Sequence, residues 1–265
     1  MKKICHITSV HNRFDPRIFH KECKTLSAHY NVSLVVSDGQ GDELVDDIQI
    51  FDAGKPRNRI WRMLFKRKTV FKIARDIDAE IYHFHDPELI GCGLKLQNDG
   101  KEVIYDIHED VPRQILSKSY LPGVLGYIVS YFVEKIENKR VKKFSHLITP
   151  TDHLYERFSK INNNTSTVKN YPNINEFQIG SKAEKDIDIC YIGSITRARG
   201  IVEIIRAAYL SGVRLHLAGA FYNRKLEMKV KRMAEWKNVK FYGFVQREEA
   251  ADILAVPYPA QKVDI

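Results

Sequence analysis

Short apolar runs and amphipathic stretches alternate along the whole chain. Residues 3–8, 32–37, 48–51, 81–84, 103–107 and 146–149 are β-prone and largely apolar. Residues 17–28, near 60–76, 87–98 and 121–143 read instead as helices, and the first carries Ile18, Phe19, Cys23 and Leu26 on one face. Asp15 is placed to cap that helix and Pro16 to open its first turn. Thr151 or Asp152 can cap another helix after 146–149. Buried parallel strands read as apolar runs, and strands alternating with helices predict a doubly wound parallel sheet.

The polar, turn-rich stretch 169–185 interrupts this pattern. It divides the chain into an N-terminal domain over 1–170 and a second over 171–265. A new alternation follows: strands at 187–192, 213–217 and 239–242, with helices at 201–211, 224–236 and 247–255. A strand–helix–strand unit takes about 30 residues or more, so the second domain reads as incomplete. The expectation is an α/β protein with two parallel-sheet domains and a chain truncated at its C-terminus.

Composition changes this picture in two places. Lys55, Arg57, Arg59, Arg62, Lys66, Arg67, Lys68, Lys72 and Arg75 fall in one acid-free stretch. These are nine of the 42 basic residues, and the other 33 are matched by 33 acidic ones, so the net charge of +9 is a single patch. Trp61, Phe65 and Phe71 are interleaved with it, which suits an anionic membrane surface. A solvated face on a helix packed against the sheet explains the same charges. Nucleic acid is not expected, because no nucleic-acid motif accompanies the patch. Cys5, Cys23, Cys92 and Cys190 are scattered and read as reduced thiols of a cytoplasmic protein. The longest apolar stretch, 121–133, is too short and too interrupted to span a bilayer.

Candidate chemistry lies at strand ends. The runs 81–88 and 103–110 break from apolar residues into His85, Asp86 and Glu88, and into His108, Glu109 and Asp110. Ligands bind just beyond the carboxyl ends of open α/β sheets, so these ends predict one shared site. His108 and Glu109 are candidates for acid, base or hydrogen-bonding roles. The loop after the first strand brings His11 and Arg13 to the same edge, while Asp15 and Arg17 there can be no more than a cap and its partner. His83 and His85 share one side of their strand, but no third spaced ligand accompanies them, so no metal site is expected. Asp76-Ile77-Asp78 and Asp186-Ile187-Asp188 are discounted as metal motifs, since neither follows a buried strand. In the second domain a strand ends on Gly193, a loop carries Arg197 and Arg199, and a helix begins after Gly200. A helix N-terminus beside forked guanidinium donors suits a diphosphate.

These segments together resemble retaining glycosyltransferases of the two-domain GT-B type, family 4. The resemblance runs from residue 3 to about 254 and is carried by 8–19, 83–88, 105–110, 170–172, 191–201, 217–219 and 242–245. It implies two Rossmann-type domains, a nucleotide-diphosphate sugar as donor and a saccharide or lipid-linked acceptor, in cell-surface polysaccharide or lipopolysaccharide synthesis. It also implies that His108 is the active-site histidine and that Gly193 underlies the diphosphate. Arg199 before Gly200 matches the basic residue that grips it, with Arg197 beside that match. His85 and Asp86 resemble the acceptor-side strand end. Metal is not expected. Two departures are visible. The loop after the first strand lacks the usual paired glycines, and 255–265 does not match the family's E-x7-E region.

The expected function is retaining sugar transfer at the cytoplasmic face of the membrane, with the 55–75 patch holding the enzyme near its acceptor. The rivals are a non-catalytic, membrane-associated binding protein that needs a partner chain, and a sugar-nucleotide epimerase.

Overall fold

The computed structural model describes residues 1–58, 61, 62, 66–116, 123–171 and 188–254. The linker from residue 172 to 187 and the chain end from 255 onward, both singled out in the sequence, lie outside them. The chain divides into two compact units, Met1–Asn170 and Tyr171–Ile265.

The first unit is built on an eight-stranded sheet. Its strands are β1 (Lys3–Ile7), β2 (Asn31–Val36), β3 (Glu43–Val45), β4 (Ile48–Asp52), β5 (Ile81–Phe84), β6 (Glu102–Asp106), β7 (His146–Thr149) and β8 (Thr165–Thr167). They lie in the order β3-β4-β2-β1-β5-β6-β7-β8. Every pairing is parallel except β3 with β4. The sequence pattern missed β3 and β8. β3 is joined to β4 through Asp46 and Asp47, both at positive φ (50° and 60°). That is the backbone of a tight two-residue hairpin, made here by two aspartates rather than by Asn-Gly. β8 is Thr-Ser-Thr at the sheet edge and has no apolar run to betray it.

The core lies on both faces of this sheet. On one face Tyr82, Phe84, Tyr105, Phe144 and Phe158 pack with Val70 and Ala74. The Phe84 and Tyr105 rings stack at 4.5 Å. Tyr82 is wholly buried, yet its hydroxyl donates to Ala74 O and accepts from Ala79 N, so its burial leaves no polar group unmet. On the other face Ile18, Phe19 and Cys23 cover β2 and β4. The first helix opens as a π-wound segment, Ile18–Cys23, before Lys24–Ser27. Asp15 caps it as expected, accepting from the backbone N–H of Arg17 and Ile18.

Two exposed surfaces border this core. Helix Arg67–Ile77 buries Val70 and Ala74 and leaves Arg67, Lys68, Lys72 and Arg75 exposed. Arg62 and Lys66 face the protein instead: Arg62 pairs with Glu88 and Lys66 donates to Ala53 O. Helix Gly123–Val141 leaves Val124, Tyr127, Tyr131 and Phe132 exposed. Among the described residues, no helix is long and apolar enough to cross a membrane.

The second unit holds β9 (Ile189–Ile192), β10 (Leu215–Ala218) and β11 (Val239–Gly243), parallel and in the order β11-β10-β9. Helices Ile201–Leu210 and Arg224–Lys231 contribute Ile201, Ile205, Leu226 and Val230 to its core. Asn223 caps the second helix, accepting from Lys225 N and Leu226 N. The buried ring of His216 on β10 is met from both sides, by Tyr242 Oη at 2.7 Å and Asp188 at 2.9 Å.

Candidate functional site

The strand order reverses between β1 and β5, and ligands of open α/β sheets bind beyond the carboxyl ends of strands at such a point. Side chains alternate along a strand, and His6 on β1 is in register with His83 on β5. The carboxyl edge therefore collects polar side chains from β1, β5 and β6. A cavity of about 300 Å³ opens there, lined by His11, Arg62, His85, Asp86, Glu88, His108 and Glu109 among others.

Asp86 organises the loop after β1. Its Oδ2 accepts from Thr8 Oγ1 at 2.9 Å, Ser9 N at 2.6 Å, Ser9 Oγ at 3.2 Å and Val10 N at 3.2 Å. Its other oxygen faces His11 Nε2 at 3.6 Å. These hydrogen bonds hold a loop that has no glycine. His11 is also bound to Asp15 at 3.0 Å. Burial works against charge on both, but their mutual hydrogen bond prevails: Asp15 is held at about 2, and His11 is raised. Glu88 accepts from Ser9 Oγ and from Arg62, which fixes a basic side chain on the cavity wall.

His108 is half-buried in the cavity. Its Nε2 lies 3.2 Å from Asp106 Oδ2 and 3.3 Å from His85 Nδ1. Asp106 is buried completely, which by itself disfavours its charge; hydrogen bonds from His108 and His85 more than compensate and hold its carboxyl well below the usual range. His85 is buried beside His108, and desolvation pushes its pKa down against the opposing pull of Asp106. A histidine whose ring is set by a buried carboxylate is equipped to orient, donate or accept a proton at one defined nitrogen.

Arg13 and Arg17 do not join the cavity. Arg13 is buried and turned away, with both arms on Asp38 and further bonds to Glu43 and Gly41 O. It pins the loop after β2 to β3 and, unlike His11, does not line the cavity at the edge where the sequence placed both as acceptor ligands. Arg17 pairs with Asp106 and Glu22 rather than with Asp15. The structure adds a cluster beneath the cavity, His6, Glu22, His83 and His85, whose ligand atoms lie within 4.8 Å of one another. His85, Asp106 and His108 form a second such group.

In the second unit Gly193 follows β9 at φ 149°, and Gly200 is left-handed at φ 69°. The Arg199 guanidinium lies near this loop: a Cβ built on Gly193 would sit 3.8 Å from Arg199 Nη1, an ordinary contact, so the backbone angle rather than the space favours glycine there. Gly200 ends the Arg197–Arg199 turn and begins helix Ile201–Leu210. Both arginines are exposed, and among the described residues neither is tied into an ion pair. Arg197 shares a cavity of about 360 Å³ with Thr196, Asn223, Lys225 and Lys229. Arg199 is not part of that wall.

No protein-family model matches the chain, and no curated protein does. Solved structures do. Sucrose-phosphate synthase from Thermosynechococcus elongatus superposes at a TM-score of 0.73 with 14% identity, covering 97% of this chain and 74% of that one. Trehalose 6-phosphate synthase from Burkholderia multivorans gives 0.65 with 10% identity, over 96% and 75%. WaaG, a glycosyltransferase involved in lipopolysaccharide biosynthesis, gives 0.62 with 12% identity, over 94% and 71%. The fold is GT-B-like.

Within that fold the sequence had found His11, His85, Asp86, His108 and Glu109 at one edge, and Gly193, Arg197, Arg199 and Gly200 at one loop. It had placed Glu88 at the strand end and Arg62 in the basic patch, but missed that the two join across 26 residues. It also missed Glu22, one charge among several on an amphipathic helix, and His6, which lies inside an apolar strand.

Proposed function

We propose that this chain is a glycosyltransferase that moves a sugar from a nucleotide-diphosphate donor to a saccharide or lipid-linked acceptor, with retention. The observation that carries the reading is the meeting of His11, His108 and Glu109 in one cavity at the switch point of a GT-B-like N-terminal sheet. A second support is the Gly193–Gly200 loop, which offers a diphosphate a helix N-terminus and two exposed guanidiniums that form no ion pair among the described residues.

In this reading Arg199 and Arg197 hold the donor diphosphate and stabilise the charge that grows on it as the sugar leaves. His108, set by Asp106, meets a hydroxyl of the reacting sugar. Glu109 and His11 bind the acceptor, Asp86 fixes the loop that presents His11, and Arg62 adds a positive charge to the acceptor wall. His85 acts from beneath, by positioning His108. The solved neighbours support the class: a further one, a trehalose-6-phosphate structure from E. coli, is bound with UDP-2-fluoro glucose. The exposed basic face of helix Arg67–Ile77 and the exposed aromatic residues of helix Gly123–Val141 suit work beside a membrane and its lipid-linked acceptors.

Thermal shift of the chain against UDP, GDP, ADP and TDP tests the donor site. A nucleotide at about 100 times its dissociation constant adds about 2.7 kcal/mol to folding stability. A selective upshift that Arg199→Ala reduces, with at least a tenfold loss of affinity (about 1.4 kcal/mol), supports the reading. The absence of any shift, or an Arg199→Ala variant with unchanged affinity, overturns the donor assignment. Release of free nucleotide diphosphate from the matching sugar nucleotide with no acceptor product would point to epimerisation instead.

A further inference from the structure

Beneath His108 lies a group of side chains of which the proposed transfer uses only His85, to position His108. His6 from β1, His83 and His85 from β5 and Glu22 from the π-wound turn Ile18–Cys23 converge inside the first unit. His6 Nδ1 lies 3.2 Å from His85 Nε2, and Glu22 Oε2 lies 3.9 and 3.8 Å from those two nitrogens. Bonds of 2.0–2.1 Å in a tetrahedral zinc site put neighbouring ligand atoms roughly 3.3 Å apart. The triangle is on average slightly wider than one face of that tetrahedron, and His83 offers a ligand atom within 4.8 Å of the other three.

Two features separate this group from a hydrogen-bonded core cluster. Glu22 Oε2 and His83 Nε2 are buried with no hydrogen-bond partner among the described residues, which is costly unless something else satisfies them. Arg17 takes Glu22 Oε1 at 3.0 Å and leaves Oε2 facing the rings. The second feature is His85. Its Nδ1 faces the Asp106 carboxylate at 3.4 Å while its Nε2 faces His6 and Glu22. A ligating histidine usually donates its other ring N–H to a carboxylate in this way.

We propose that His6, Glu22, His83 and His85 hold one divalent transition-metal ion of the zinc class in a closed, structural site that ties β1 and β5 to the first helix. Imidazole ligands with one carboxylate suit this class rather than calcium or magnesium. Four protein ligands leave no open position for substrate, so the ion supports the floor of the cavity and takes no part in transfer. The sequence concealed the site because its ligands come from three separate elements.

The test is titration of the chelator-treated full chain with Zn²⁺ and, separately, Co²⁺. The proposal expects one equivalent bound per chain, an intense visible Co²⁺ spectrum of a four-coordinate ion, and a raised melting temperature. Glu22→Gln and His83→Gln should each weaken binding by at least about 100-fold, beyond the usual loss from a supporting group. His108→Gln, outside the four ligands, should leave the affinity within about threefold, about 0.7 kcal/mol. Failure to bind an equivalent overturns the proposal. So does unchanged binding by both variants, or a loss in His108→Gln as large as theirs, which would place the ion against His85, Asp106 and His108. If a variant fails to fold, the Co²⁺ spectrum of the unaltered chain decides, since weak six-coordinate bands exclude the site.

Discussion

Both arms of the Arg17 guanidinium close on the Asp106 carboxylate, Nε at 2.9 Å and Nη2 at 3.0 Å, across 89 residues of sequence. Asp106 is buried and Arg17 nearly so. The pair joins the start of the first helix to the end of β6, and it fixes the carboxylate that His108 meets.

Breaking a buried pair leaves one charge uncompensated, which costs about 3–5 kcal/mol. Asp106→Asn should therefore lower unfolding free energy by about that much. Replacing both residues with apolar ones of similar size should cost less than the single change. Urea unfolding checks both, and a single variant as stable as the parent would remove the pair from the account.

The Asp86 carboxylate gathers the loop after β1 through Thr8, Ser9 and Val10. Hydrogen bonds to a charged group are worth about 1.5–3 kcal/mol. Asp86→Ala should cost about that amount and open the loop. Hydrogen exchange should show the Ser9 and Val10 amides exchanging faster, with β7 unaffected. Unchanged protection at those two amides would show that the carboxylate does not hold the loop.

The Asp15–His11 contact makes stability depend on pH. Asp15 is depressed in the fold to about 2 from the ordinary 3.8, so its contribution is present above about pH 4 and is lost as pH falls towards 2. His11 is raised by Asp15, Asp86 and Glu109, so its contribution is full below its ordinary value of 6.5 and fades as pH rises through the folded value. Asp15→Asn should flatten the acid limb of a stability-against-pH curve and remove part of the slope near neutrality. Parallel curves for parent and variant would contradict this.

Gly219 sits at φ 141°, and a Cβ there would lie 1.8 Å from Gly193 O. Only a bare backbone lets the end of β10 approach the loop that carries Arg197 and Arg199. Gly219→Ala should destabilise the second unit by at least about 3 kcal/mol, from strained φ and a backbone clash together. Gly212 is also left-handed, at φ 70°, but faces open space, so Gly212→Ala should cost only about 1–2 kcal/mol. Chemical unfolding of the two variants gives the comparison, and equal losses would sink it.

Much of the fold was legible because burial leaves a periodic mark. β5 and β7 ended where their apolar runs ended, and β1 within one residue. Asp15 and Thr151 announced helix starts through their side-chain chemistry, and both accept the capping bonds. β3 and β8 left no such mark: one depends on two aspartates at positive φ, and the other is a polar edge strand.

The site divides the same way. His11, His85, Asp86, His108 and Glu109 follow directly on strand ends, so local pattern places them at one edge without knowledge of strand order. Arg13 lies in the same loop but turns back onto Asp38 and Glu43, because a buried guanidinium takes the carboxylates within its reach. Arg62 looks like one charge in a basic run until Glu88 arrives beside it.

The sequence by itself determined most of the strands and helices, β3 and β8 apart, and which polar residues terminate strands, because periodicity and capping are local. Only the tertiary structure decided which of those residues meet. Setting β1 beside β5 brings His6 to His83 and His85, and the first helix then lowers Glu22 and Arg17 onto them. No local pattern encodes that meeting, since its partners lie up to 79 residues apart. The order of strands in the sheet and the packing of the first helix against it bring them together.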